Sequence, residues 1–250
     1  METIDRRSFA KMSVGSVLTY TLLSSLFEAD AWGDDIKPLA ANFLKDVNEL
    51  SKDVKGHKIS QVQWQAKCEA FMKTVEVDEF MKYIDMEKLT KNLKPRKKGE
   101  RSLTVTFPEV EGLPTKMVYG RQLFALHKGR SVVPHGHYNM ATSFLVLGGE
   151  FHGRHYDRLE DAEDHMIVKP TIDGTFKRGQ YSTVSDYKDN VHWFKCKSDK
   201  GFIFNIHVLN IDPKIKKSGR VYIDPDGEKI SGGRIKAPKM KAAEAINKYG

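Results

Sequence analysis

Apolar residues recur at steps of three and four between about residues 34 and 98. They then change to short runs rich in β-branched and aromatic side chains between Leu103 and Ile211. In "DIKPLAANFLKDVNELSKDV", Ile36, Leu39, Phe43, Val47 and Leu50 fall on one helical face. "SQVQWQAKCEAFMKTV" places Val62, Ala66, Cys68, Phe71 and Met72 on a second face, with Ser60 as its N-cap. "VDEFMKYIDMEKLTKNL" turns Phe80, Ile84 and Leu89 inward on a third. Such stripes predict core packing. The basic, Pro- and Gly-containing "KPRKKGER" at 94–101 then marks a linker. Beyond it, "SLTVTF", "KMVYGRQLFALH", "TSFLVLGGEFHGRHYDR", "QYSTVSD", "VHWFKCK" and "FIFNIHVLNI" read as strands separated by Gly, Pro and Asp turns. Many short strands with frequent turns predict a sandwich or barrel. A "DPDGEK" turn and a short amphipathic helix from about Pro238 to Lys248 end the chain.

The first 31 residues predict an address rather than a structural element. Arg6 and Arg7 supply a charged start, a mostly apolar run extends from about Met12 to Phe27, and Ala29-Asp30-Ala31 forms a small-x-small cleavage site. The run is too short and too rich in Ser and Thr for a membrane span. "DRRSFAK" resembles the bacterial twin-arginine signal, with Ala10 where Leu is common. That resemblance implies cleavage after Ala31 and a periplasmic or exported protein with no stable membrane span. The alternatives are an ordinary secretory signal and an uncleaved anchor. The expected organisation is a signal at 1–31, a helical segment and linker at 32–101, a barrel at 102–212 and a basic extension at 213–250.

Composition adds two points. With 250 residues, 40% hydrophobic and 30% charged, the chain is long enough for a sizeable core. Its net charge of +8 is concentrated at the end, where ten Lys and Arg face four Asp and Glu from Pro213 onward. No nucleic-acid-binding motif accompanies them, so no specific nucleic-acid partner is expected and a solvated basic surface is the plain reading. Cys68 and Cys196 cannot form a CxxC motif, and two buried free thiols are expected.

Candidate chemistry concentrates in "PHGH" at 134–137 and "NVHWF" at 190–194. His135 and His137 share a strand face, and Pro134 before them fits a strand start or edge. If His192 meets them inside a barrel, three imidazoles hold one metal and leave positions open, the pattern of a catalytic site. The stretches "GRSVVPHGHYNMATSFLVLGGEF" and "GQYSTVSDYKDNVHWFKCKSDKGFIFN" resemble the two motifs of the cupin superfamily. The resemblance covers roughly residues 118–210 and implies a mainly β fold, a jelly-roll β-barrel carrying an N-terminal helical segment and a short C-terminal helix. It places metal ligands at His135, His137 and His192 and puts Thr142 where the family carries a glutamate. A three-His site of this kind is similar to those of iron cupins such as thiol dioxygenases. The divalent metal implied is Fe(II), with Mn, Zn, Ni or Cu as alternatives.

Further candidates surround these histidines in the sequence. His207 stands on a strand face with Asn205 and Leu209, positions at which thiol dioxygenases carry a Ser-His-Tyr series, so only the histidine is retained. His207 is expected as an acid/base, or else as a satisfied core histidine. In "EFHGRHYDR", alternation groups Glu150, His152, Arg154, Tyr156 and Arg158 on one face and His155 and Asp157 on the other. Arg154 would hold a substrate carboxylate if that face is inward, or join a surface ion-pair ladder if it is outward. Arg121 has the same dual reading; Tyr138, Asn139 and Asn205 are further substrate-lining candidates, while Asp186 and Asn190 read as turn caps. The activity expected is an oxidoreductase or dioxygenase acting on a small polar or anionic molecule. The rivals are a metal-dependent isomerase or lyase and a non-catalytic small-ligand-binding or sensing module. Cupin barrels often pair, so a homodimer is a possible partner state.

Overall fold

The computed structural model describes residues 36–94, 96–109 and 116–250, with side chains from Asn42 onward. The signal expected at 1–31 lies outside the described residues. Residues 36–250 form one compact unit. No helix among the described residues is long and apolar enough to cross a membrane.

Four helices open the described chain: α1 (Ile36–Lys55), α2 (Gln61–Met72), α3 (Val77–Tyr83) and α4 (Met86–Thr90). Ser60 caps α2 as expected, its hydroxyl accepting from Gln63 N at 3.1 Å while the Gln63 side chain accepts from Ser60 N at 2.8 Å. The buried face of α2 differs from the expected one. Gln61, Trp64, Gln65, Cys68 and Met72 are inside, whereas Val62 and Ala66 are exposed. The strong driver is Trp64, fully buried, which turns the helix by one residue relative to the small apolar positions.

The strands are β1 (Arg101–Thr104), β2 (Gly120–His127), β3 (Ser131–Tyr138), β4 (Met140–Gly148), β5 (Glu150–Asp161), β6 (His165–Lys177), β7 (Tyr181–Val184), β8 (Val191–Cys196), β9 (Lys200–Leu209), β10 (Gly219–Ile223), β11 (Glu228–Ile230) and β12 (Arg234–Met240). All pairings are antiparallel. One sheet runs β1-β2-β9-β4-β7 and the other β10-β3-β8-β5-β6-β12-β11. The fold is mainly β, a jelly-roll barrel with helices before it and one short helix, α5 (Ala242–Tyr249), after it.

Apolar side chains sort by sheet face. Leu123, Leu145, Phe204 and Ile206 join Leu44, Val47, Trp64, Cys68 and Phe80 of the helices in one cluster. The helical segment therefore covers the outer face of the five-stranded sheet. Between the sheets, Phe124, Phe144, Phe151, Phe194 and Ile203 fill the closed end of the barrel. A further cluster takes Tyr138 from β3, Tyr156 from β5, Met166 and Val168 from β6, Val191 from β8, Ile223 from β10 and Ala237 from β12. An additional β10–β12 pairing, Tyr222 opposite Met240 and Ile223 opposite Lys239, closes the larger sheet on itself around that cluster. The segment set apart at 213–250 by its charge is thus not separate: its strands are barrel wall, because Val221, Ile223 and Ala237 alternate with its lysines and arginines. The final helix begins at Ala242, since β12 takes residues up to Met240. Cys68 and Cys196 are both free and buried, in different clusters.

Candidate metal centre

Alternation along β3 would not by itself turn His135 inward. Val132 belongs to the barrel interior, and His135 lies three positions on. The register resolves this: Val132 pairs with Phe194 and His135 with His192, so β3 carries one residue more than β8 between the two pairs. That extra residue makes a bulge, which shifts the parity and aims His135 and His137 at the interior. Pro134 sits in the bulge, where its missing N–H costs no ladder hydrogen bond.

The three histidines converge. The potential ligand atoms of His135, His137 and His192 lie within 4.8 Å of one another. Ring centroids are 5.0 Å apart for His135–His137, 4.2 Å for His135–His192 and 4.9 Å for His137–His192. All three are at most 2% exposed. His135 Nδ1 donates to Val133 O at 2.8 Å, which fixes the tautomer and frees Nε2 as a lone-pair donor. His137 Nδ1 meets Thr142 Oγ1 at 3.3 Å, again leaving Nε2. Those two Nε2 atoms and His192 Nδ1 are buried without hydrogen-bond partners. Three mutually close imidazoles, each with a buried nitrogen that has no partner, fit a divalent metal.

Burial holds all three rings neutral. It pushes the pKa of His135 and of His192 well below the usual value and that of His137 down to about 3, with the Arg220 guanidinium adding to each shift. A neutral imidazole is the ligating form. The His137 carbonyl is held from outside the site by Arg158 at 3.0 Å and Asn190 at 2.9 Å, so the ligand's backbone is fixed as well as its ring.

A cavity of about 190 Å³ opens over the cluster. The larger sheet contributes the three histidines and Arg220; the smaller contributes Gln122, Thr142, Asn205 and His207. His207 Nδ1 donates to Asn205 Oδ1 at 3.0 Å, and the amide of Asn205 donates to Ser143 O at 3.3 Å. Burial, then Arg220, holds His207 down to about 4. Its ring lies over Gly120, where a Cβ would stand 2.1 Å from Nε2.

Several candidates are elsewhere. Arg154 is outward: Nε meets Asp173 Oδ2 at 3.1 Å, and the guanidinium stacks 5.1 Å from the Trp193 ring, in the ion-pair ladder that also joins His152 to Asp173. The inward group on β5 is His155, fully buried and 6.2 Å from the His192 ring. Phe151 in the barrel interior sets that parity. Arg121 donates to Val105 O and covers Phe107 on the helix side of the sheet. Tyr138 turns to the second core, donating to Asp161 at 3.0 Å. Asn139, at φ 55°, clasps Asp212 through both its amide groups. Asp186 closes a pair of hydrogen bonds with Gln61. Arg220 was not among the sequence candidates; its strand, "GRVYI", is short and set in a basic stretch, and only its register opposite His137 brings it to the site.

No protein-family model matches the chain, and no curated protein matches it. Among solved structures, a cupin superfamily protein from Desulfitobacterium hafniense is 16% identical over 48% of this chain and 87% of its own, with a TM-score of 0.31. A protein with a double-stranded beta-helix domain from Klebsiella pneumoniae is 12% identical over 53% and 85%, with a TM-score of 0.35. Procruciferin, an 11S globulin from Brassica napus, is 12% identical over 41% of this chain, with a TM-score of 0.30, and the match spans 22% of the globulin's length.

Proposed function

We propose that the protein is an exported, metal-dependent cupin in which His135, His137 and His192 hold one divalent metal, Fe(II) by preference, for oxidative chemistry on a small polar or anionic molecule. The observation that carries the reading is the buried three-imidazole cluster with orphaned nitrogens at the floor of a cavity. Three protein ligands leave positions open, and such a metal supplies a Lewis-acid centre able to bring substrate and O₂ together. The chain's own residues do the rest. Thr142 and Val133 O orient the imidazoles. Asn205 orients His207, which burial keeps in the proton-accepting form at neutral pH. Apolar Phe124 and Phe144 narrow the cavity and exclude water. Export rests on the residues at 1–31 alone.

The test is anaerobic purification with Fe, Mn and Zn supplied, elemental analysis, and O₂ uptake with small organic acids. About one equivalent of metal per chain and substrate-dependent O₂ consumption are expected. Metal without O₂ consumption would favour an isomerase or lyase. No metal from any of the three ions would leave a small-ligand-binding module.

A further inference from the structure

We propose that Arg220 is the anion-recognition residue of the cavity and that Glu100 is its built-in placeholder, so that the site takes a small ligand carrying a carboxylate or sulfonate. The inference deepens the metal reading by naming the ligand class.

Four observations support it. First, among the described residues lining the cavity, Arg220 alone carries a permanent charge, and no acidic residue lines it. Second, β10 places Arg220 directly opposite His137, so the guanidinium stands beside the ligand cluster and not at a distant rim. Phe124 of the facing sheet lies 6.0 Å beneath it and limits its positions. Third, the guanidinium is underused. Its one hydrogen bond among the described residues runs from Nη1 to Glu100 Oε1 at 3.4 Å, which leaves most of a five-donor fork available. Fourth, the charge balance is unfilled. Three neutral imidazoles would leave a bound divalent ion with its full charge, Arg220 adds another, and no carboxylate among the described lining residues offsets either. An incoming oxyanion meets both cations without displacing any protein ligand.

Glu100 explains how the cavity keeps a cation between ligands. It reaches Arg220 from the linker before β1, and the pair is long, single and partly exposed, with side chains 33% and 17% accessible. Such a pair is weak enough for a small anion to compete with it. A cavity of about 190 Å³ lies below the ~300–1,000 Å³ of drug-sized pockets and restricts the ligand to a few heavy atoms.

The experiment is calorimetric titration of malonate, methanesulfonate and the uncharged malonamide into full-length wild type, Arg220→Gln, Arg220→Lys and Glu100→Gln, each metal-free and Co(II)-loaded. Malonate or methanesulfonate should bind wild type while malonamide does not, and whichever binds tighter identifies the headgroup. Arg220→Gln should weaken the anion by about ten- to a hundredfold, the loss expected of a charge-assisted contact. Arg220→Lys should recover part of that. Glu100→Gln should tighten it about threefold by removing the competitor, a sign that a merely structural role for the pair would not give. Co(II) stoichiometry should be equal in all four proteins. Equal binding of malonate and malonamide, no measurable anion binding in either form, unchanged affinity in Arg220→Gln, or weakening in Glu100→Gln would each overturn the proposal. Wild type that takes up no Co(II) would instead overturn the metal reading, and the metal-free titrations would still decide the role of Arg220.

Discussion

Each imidazole of the cluster has a separate reason to matter, and the expected consequences differ. His135→Ala, His137→Ala or His192→Ala would remove one of the three proposed ligands from a cluster without a carboxylate, so elemental analysis should show strong loss of metal. Thr142→Ala removes only the hydroxyl that meets His137 Nδ1. Occupancy at saturating metal should remain near wild type, with affinity lower by about tenfold, the low end for an outer partner of a ligating histidine. His207→Ala should retain metal and lower turnover if the ring handles a proton; unchanged turnover would make it a packing residue. The metal-free protein should also be acid-sensitive. His137 and His155 are held to about 3 by burial, far below the value of about 6.5 in an unfolded chain. Below about pH 6.5 the unfolded state binds protons that the folded state refuses. Stability is therefore full above that pH and falls as pH drops toward 3, by up to ~1.4 kcal/mol per pH unit for each ring. Urea midpoints at about pH 7 and about pH 5 should show the loss. His155→Leu, which also removes a buried Nδ1 without a partner, should flatten the dependence while leaving stability at neutral pH equal or higher.

At the scale of the element, the site depends on how strands are placed, and this decides what the sequence could reveal. The His135–His137 pair was legible because spacing of two keeps two side chains together whichever way a strand faces. The His192 match came from the cupin resemblance, and the structure brings that residue opposite His135. Facing direction was not legible. Alternation on β5 correctly separated Arg154 from His155, yet nothing local said which side was inside; Phe151, packed at the closed end, decides it. The β3 bulge reverses parity within a strand, and a sequence shows such a reversal only through hints such as Pro134. The β2–β9 pairing gives a sharper test of placement. Gly120 lies opposite His207, and the imidazole occupies the space a side chain would need. Gly120→Ala should displace His207, lower stability by roughly 1–3 kcal/mol as overpacking does, and reproduce the His207→Ala effect on turnover with metal content unchanged. A variant with normal turnover would show that the ring can sit elsewhere.

At the scale of the whole molecule, the two ends of the described chain do different structural work around one barrel. The helices at 36–90 have apolar faces that match the outer face of the five-stranded sheet, and Lys55 at the end of α1 donates to Leu209 O at 2.7 Å and Asn210 O at 2.9 Å. A fragment of residues 34–98 should therefore show no cooperative melt by itself, since its largest buried side chain, Trp64, belongs to a cluster that Leu145 and Phe204 of the sheet complete. The other end is more consequential. Charge alone makes residues 213–250 look like a removable basic tail, yet β10 and β12 pair with β3, β6 and each other, and they complete a core to which six strands each give a side chain. Ile223 and Ala237 are fully buried there. Removal of 219–250 would leave Tyr138, Tyr156, Met166, Val168 and Val191 facing water and strip β3, the strand that carries His135 and His137, of its outer partner. A truncated chain should thus lose the cooperative unfolding transition and metal binding together, not merely become less basic. The point variant Ile223→Ala isolates packing from charge: it changes no ionisable group and should cost ~2–5 kcal/mol, the range for emptying an isoleucine's volume in a closed core. Neutralising Lys229 and Lys236, which are exposed on β11 and β12, should by contrast stay within about 0.5 kcal/mol of wild type. If the truncation melts cooperatively with metal still bound, or if Ile223→Ala is as mild as the lysine changes, the C-terminal strands are an accessory to the barrel and not part of its wall.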